Sequence, residues 1–146
     1  KGGENMNKKG FTLIELLVVI AIIGLLSTLA VVALGSVREK GRDTKRLADL
    51  KQMSTALELY NTENSAYPTA AVAITLGSGT AACLNASGFA ATGCADPFMA
   101  IVPSDPGSDS YTYISADGST FTITATLEGT VEGLSGATTA TPGGLQ

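Results

Sequence analysis

The side chains with the most chemical consequence in this 146-residue chain stand close together near its start. In Lys8-Lys9-Gly10-Phe11-Thr12-Leu13-Ile14-Glu15, two bases and a glycine precede an apolar run, and one carboxylate is planted inside it. A carboxylate within a membrane-spanning helix costs about 2.5–3.5 kcal/mol on insertion scales, so Glu15 demands a partner, and a positive one fits best. Elsewhere the catalytic inventory is thin. Histidine and tryptophan are absent, which removes the commonest general base and zinc ligand. Cys83 and Cys94, with ten residues between them, fit neither a redox CxxC pair nor a four-ligand metal site. No nucleophile with a base to activate it can be picked out, so an enzyme is not expected.

The element that must position Glu15 is a long apolar helix. Leu16 to Val37 are 22 consecutive uncharged residues, and Phe11 to Leu34 give 24 positions, or ~36 Å of helix at ~1.5 Å per residue. A hydrocarbon core of roughly 30 Å is spanned by that length. Lys8 and Lys9 flank the run at once, which places the N-terminus in the cytoplasm and the rest outside. A cleaved secretory signal peptide fits poorly, because the apolar core is too long and Gly35-Ser36 makes a poor cleavage site. Charge is sorted along the chain: all nine Lys and Arg lie at or before Lys51, and residues 52–146 carry eight acids and no base, a net charge of −8. Phosphate contacts need Lys and Arg, so direct nucleic-acid binding by that part is not expected. Arg38, Arg42, Lys45 and Arg46 recur at three- and four-residue spacing, as a contact with lipid headgroups would require. The plainer reading is a solvated face trading ion pairs with Glu39, Asp43 and Asp49.

The stretch Lys8-Lys9-Gly10-Phe11-Thr12-Leu13-Ile14-Glu15-Leu16 resembles the class III leader and N-methylation motif of type IV pilins and of the pseudopilins of type II secretion. The resemblance implies cleavage by a prepilin peptidase between Gly10 and Phe11, methylation of the new Phe11 amine, and pairing of Glu15 with the Phe11 amine of a neighbouring subunit. It also implies a homopolymer built on an inner-membrane assembly platform. Electrostatics favours the pairing independently, since ammonium and carboxylate are each costly when buried alone and attract strongly in low dielectric. The expected function is that of a structural prepilin, a single-pass membrane protein that polymerises into a type IV pilus-like extracellular filament. The alternatives are a pseudopilin of a type II secretion system or competence pilus and, from another class, a membrane-anchored binding module that never polymerises. Residues 1–10 are the expected leader, with its natural start at Met6. Major pseudopilins also bind calcium through acidic and carbonyl ligands in a C-terminal loop. Here Asp105, Asp109 and Asp117 are the candidate calcium ligands, although their spacing matches no EF-hand; no other cofactor is expected.

In residues 36–64 the pattern becomes amphipathic, with Leu47, Leu50, Met53, Leu57 and Tyr60 forming one stripe of a 3.6-residue period. With no proline from Phe11 to Tyr67, a single helix is predicted from about Thr12 to Thr62, its first half (residues 11–35) spanning the membrane and forming the filament core. Residues 65–110, rich in small side chains, read as a connecting region with a short helix near Ala70–Leu76. Outside the cell Cys83 and Cys94 would form a disulfide, with two buried thiols as the alternative. Tyr111–Ser115 and Thr120–Glu128, joined through Ala116-Asp117-Gly118-Ser119, predict a hairpin whose Phe121, Ile123, Ala125 and Leu127 face the core. A short third strand near Thr130–Leu134 completes a sheet over 111–134, and 135–146 read as a flexible tail. The fold class is α+β: a long N-terminal helix packed on a small antiparallel sheet, as in pilins.

Overall fold

A computed structural model describes residues 10–146; Lys8 and Lys9, the orientation signal, lie outside the described residues. Helix α1 runs Leu13–Asn64, 52 residues, without a break at Gly24 or Gly35. It stops where Ser65 adopts φ +58° and its N–H donates to the Asn61 carbonyl at 2.7 Å, a C-terminal cap that leaves Pro68 to follow in extended chain. The chain divides into two units, one ending at Val37 and the other running Arg38–Gln146.

In the first unit every Leu, Ile and Val from Leu13 to Val37 is at least 46 % exposed. An apolar helix segment without cover in water is built for lipid or for other helices. It is long and apolar enough to cross a membrane once.

The second unit holds the core. Leu47, Leu50, Met53, Leu57 and Tyr60 on α1 are all buried, as the stripe predicts. Facing them is an antiparallel sheet in the order β1-β4-β5-β6-β7, with β1 at Ala70–Thr75, β4 at Thr112–Ser115, β5 at Thr122–Val131, β6 at Leu134–Thr141 and β7 at Gly144–Leu145. Alternation along β5 buries Ile123, Ala125 and Leu127, with Phe121 just ahead of it, and turns Thr122, Thr124 and Thr126 outward. Edge-to-face contacts between Tyr67 and Phe121 (ring centroids 4.8 Å) and between Phe89 and Tyr113 (4.9 Å) tie the sheet to the segments beside it. The α+β arrangement is therefore as read from the sequence.

Four segments differ from their reading. Ala70–Leu76, expected as a short helix, is strand β1, because its backbone pairs with β4 at Ala70↔Ser115, Ile74↔Tyr113 and Thr75↔Thr112. The connecting region also contains a small hairpin, β2 (Cys83–Asn85) with β3 (Gly88–Ala90), within the loop closed by the Cys83–Cys94 disulfide. Thr130–Leu134 is no separate strand: β5 continues to Val131, and Glu132-Gly133, with φ +53° and +82°, turns it into β6. Residues 135–146 are accordingly not a loose tail but strands, whose ladder with β5 runs from Ile123↔Ala140 to Val131↔Leu134.

Candidate assembly site

Glu15 lies in the first turn of α1, and its partner within one chain is Thr12. The Thr12 N–H and hydroxyl donate to Glu15 Oε2 at 2.8 and 2.6 Å, while the Glu15 N–H donates to Thr12 Oγ1 at 3.3 Å. This reciprocal capping box satisfies backbone donors that a helix start leaves open. It also sets the carboxylate at the positive end of the helix dipole. Phe11, Ile14, Val18 and Val19 line a shallow apolar depression beside it. The sequence carries a signal for the Thr12 contact, since Thr-x-x-Glu ahead of an apolar run is a capping-box pattern, although an acid in an apolar run points first to a cation.

The second unit carries a different polar site. Arg46, 1 % exposed, extends from α1 among three carboxylates. Its Nη1 donates to Asp43 Oδ1 at 2.7 Å and to Glu128 Oε1 at 2.8 Å. Its Nε and Nη2 make a two-pronged contact with Asp105, at 2.6 Å to Oδ2 and 2.8 Å to Oδ1. Backbone N–H groups complete the shell: those of Glu128 and Gly129 donate to Asp43 at 3.0 and 2.8 Å, and that of Gly107 to Asp105 at 2.7 Å. Arg42 closes the exposed side by pairing with Glu128. Burial pushes the Asp43 carboxyl up, but the two backbone donors and Arg46 outweigh it and hold it below the ordinary range. Hydrogen bonds from Arg46 keep Asp105 low against its burial. Glu128, bonded first by Arg42 and then by Arg46, is lowered to about 2. The solvated face is thus corrected at Arg46 and Asp43, which are interior residues; Lys45, exposed, does pair with Asp49 at 3.3 Å.

The three candidate calcium ligands are not brought together. Asp105 is engaged by Arg46, Asp117 accepts from the Ser119 N–H and hydroxyl within the β4–β5 turn, and Asp109 is exposed. Among the described residues no group of three or more His, Cys, Asp or Glu is disposed to hold a metal ion. An open groove of about 550 Å³ along α1, lined by Gln52, Thr55, Leu59, Phe98 and Ile101 among others, contains no ionisable side chain with which to do acid–base chemistry.

A capped, uncovered apolar helix that continues into a helix-on-sheet domain is the architecture of a pilin-like membrane subunit. The family model for the prokaryotic N-terminal methylation motif matches residues 5–36, and that for type II secretion system (T2SS), protein G matches residues 34–139. The chain belongs to the type II secretion system protein G family. Relatives named type II secretion system core protein G include those of Klebsiella pneumoniae, 44 % identical over 62 residues (42 % of this chain, 44 % of the relative), and Escherichia coli K12, 42 % identical over 62 residues (42 % and 43 %). The corresponding protein of Aeromonas hydrophila is 38 % identical over 66 residues, 45 % of this chain and 46 % of its own. The chain thus spans somewhat less than half the length of these relatives. No solved structure matches it.

Proposed function

We propose that this chain is a pseudopilin, a structural subunit of a type II secretion machine. In this reading a prepilin peptidase cuts between Gly10 and Phe11, the new Phe11 amine is methylated, and the Phe11–Leu34 helices assemble into a filament on an inner-membrane platform. The observation that carries it is the first half of α1, whose large apolar side chains all lack cover and which bears one acid at its start. The names of the relatives favour a secretion filament over the broader reading of an extracellular type IV pilus.

Glu15 has work at two stages. Before assembly Thr12 satisfies it, which lowers the cost of holding a carboxylate in the bilayer. Cleavage would turn the Phe11 nitrogen from an amide into an ammonium, and the carboxylate could then trade its local contact for a neighbour's charge. In low dielectric that pair attracts strongly and fixes the register of one helix against the next. Two measurements test the reading. Intact-mass analysis of membrane-purified protein should find methylated Phe11 as the first residue; an uncut, unmethylated chain would point to a membrane-anchored binding module instead. Glu15→Ala should be cut normally yet give at least about tenfold less sheared filament, the loss of one buried pair being worth more than about 1.4 kcal/mol per contact. Normal filament yield from that variant would remove the pairing with Phe11.

A further inference from the structure

Kinship with major pseudopilins implies a calcium ion in the C-terminal half of the domain, and the residues of this chain do not fit one. Calcium takes six to eight oxygens at about 2.3–2.6 Å. Of the acids that could supply them, Asp105 already has both oxygens bonded by the Arg46 fork and a third bond from the Gly107 N–H. Asp43 likewise has both oxygens occupied, one by Arg46 and the Glu128 N–H, the other by the Gly129 N–H. A divalent ion near these carboxylates would face a fixed guanidinium a few ångströms away, and like charges at that range repel.

The positive charge has been supplied covalently instead. Asp43 and Arg46 belong to α1, Asp105 to the irregular stretch between β3 and β4, and Glu128 to β5, so one side chain joins three parts of the domain separated by 59 and 82 residues. The side chains of Arg46, Asp43 and Asp105 are 1 %, 0 % and 1 % exposed. Among the described residues no buried side-chain nitrogen or oxygen lacks a hydrogen-bond partner, the condition under which a buried ionic network holds a fold together rather than weakening it. Arginine suits the position because its planar fork reaches several carboxylates at once, which a lysine ammonium on a flexible stem cannot do with the same geometry.

We propose that Arg46 is the structural cation of this domain, pinning the segment around Asp105 to α1 and β5 as a bound calcium ion would, so that the fold does not depend on calcium. Arg46 serves in this way whether or not the chain polymerises, and filament yield is not its readout. The test is thermal unfolding of the full chain in detergent micelles, followed by circular dichroism, with EGTA or with millimolar calcium chloride. The wild-type midpoint should move by less than about 1 °C between the two, since a ligand that does not bind the folded state shifts nothing. Arg46→Gln should melt about 10 °C or more below wild type, because it strands buried carboxylates. Arg46→Lys should fall between them. A calcium-dependent rise in the wild-type midpoint, or stoichiometric calcium uptake by titration calorimetry, overturns the proposal; so does an Arg46→Gln protein that melts with the wild type. Should Arg46→Gln not fold, Arg46→Lys and Asp105→Asn replace it: their combined loss should be smaller than the sum of the single losses, and strict additivity would mean the two residues do not act as one unit.

Discussion

At Gly107 the scale of a single hydrogen atom decides stability. A Cβ there would lie 2.8 Å from Arg46 Nη2 and 3.2 Å from Asp105 Oδ1, both held in place by their mutual bonds. Gly107→Ala should therefore destabilise by about 1–3 kcal/mol, the usual range for overpacking, read as a lower urea midpoint at unchanged slope. The same cluster sets the acid limit of the fold. Asp43 and Asp105 are held low, and Glu128 is lowered from 4.5 to about 2. A carboxylate depressed in the folded state stabilises above its unfolded value and loses that contribution as pH falls through its folded value. Melting midpoints should thus be level from about pH 5 to about pH 8 and fall between about 4.5 and about 2; a midpoint that holds down to the lower limit would mean the three acids are not paired in solution. Little of this was legible beforehand. Arg46 sits among bases at helical spacing and looks like the rest of a solvated face, while two of its three carboxylate partners lie 59 and 82 residues further on. Glu15 is legible as an anomaly, but an acid in an apolar run points to an opposite charge before it points to the neutral Thr12 that bonds it.

Elements were readable wherever one face is buried and the other wet. The stripe from Leu47 to Tyr60 and the alternation from Phe121 to Leu127 repeat at 3.6 and 2 residues, and both are buried where those periods place them. Leu50, at the middle of the stripe, is 0 % exposed. Leu50→Ala should cost about 2–5 kcal/mol, checked by chemical denaturation, whereas Leu59→Ala on the exposed side of the same helix should change stability by less than about 0.5 kcal/mol. Periodicity failed where pairing rather than patterning makes the strand. Ala70–Ile74 is apolar throughout and Leu134–Thr141 is mostly Gly, Ala, Ser and Thr, so neither shows an alternation to read. Their strand character comes from the neighbours they pair with: β4 for one and β5 for the other. Composition alone cannot reveal a partner forty residues away.

At the scale of the whole chain, the two units answer to different solvents. The unit from Arg38 to Gln146 contains the buried stripe, the sheet, the disulfide and the Arg46 cluster, and its own contacts close its core. A chain trimmed to Arg38–Gln146 should consequently fold in water without detergent and melt cooperatively within a few degrees of the full chain; a non-cooperative melt would show that the core needs the apolar helix. The full chain, with its uncovered residues 13–37, should require detergent or lipid. The margins of the sheet carry a last consequence. One outer strand, β7, is two residues long, and the other, β1, breaks register between Ala70 and Ile74. Neither border offers a long, regular row of free amides on which a foreign backbone could template. Crowded flank to flank, such borders give neighbouring domains little purchase for zipping into amyloid ribbons.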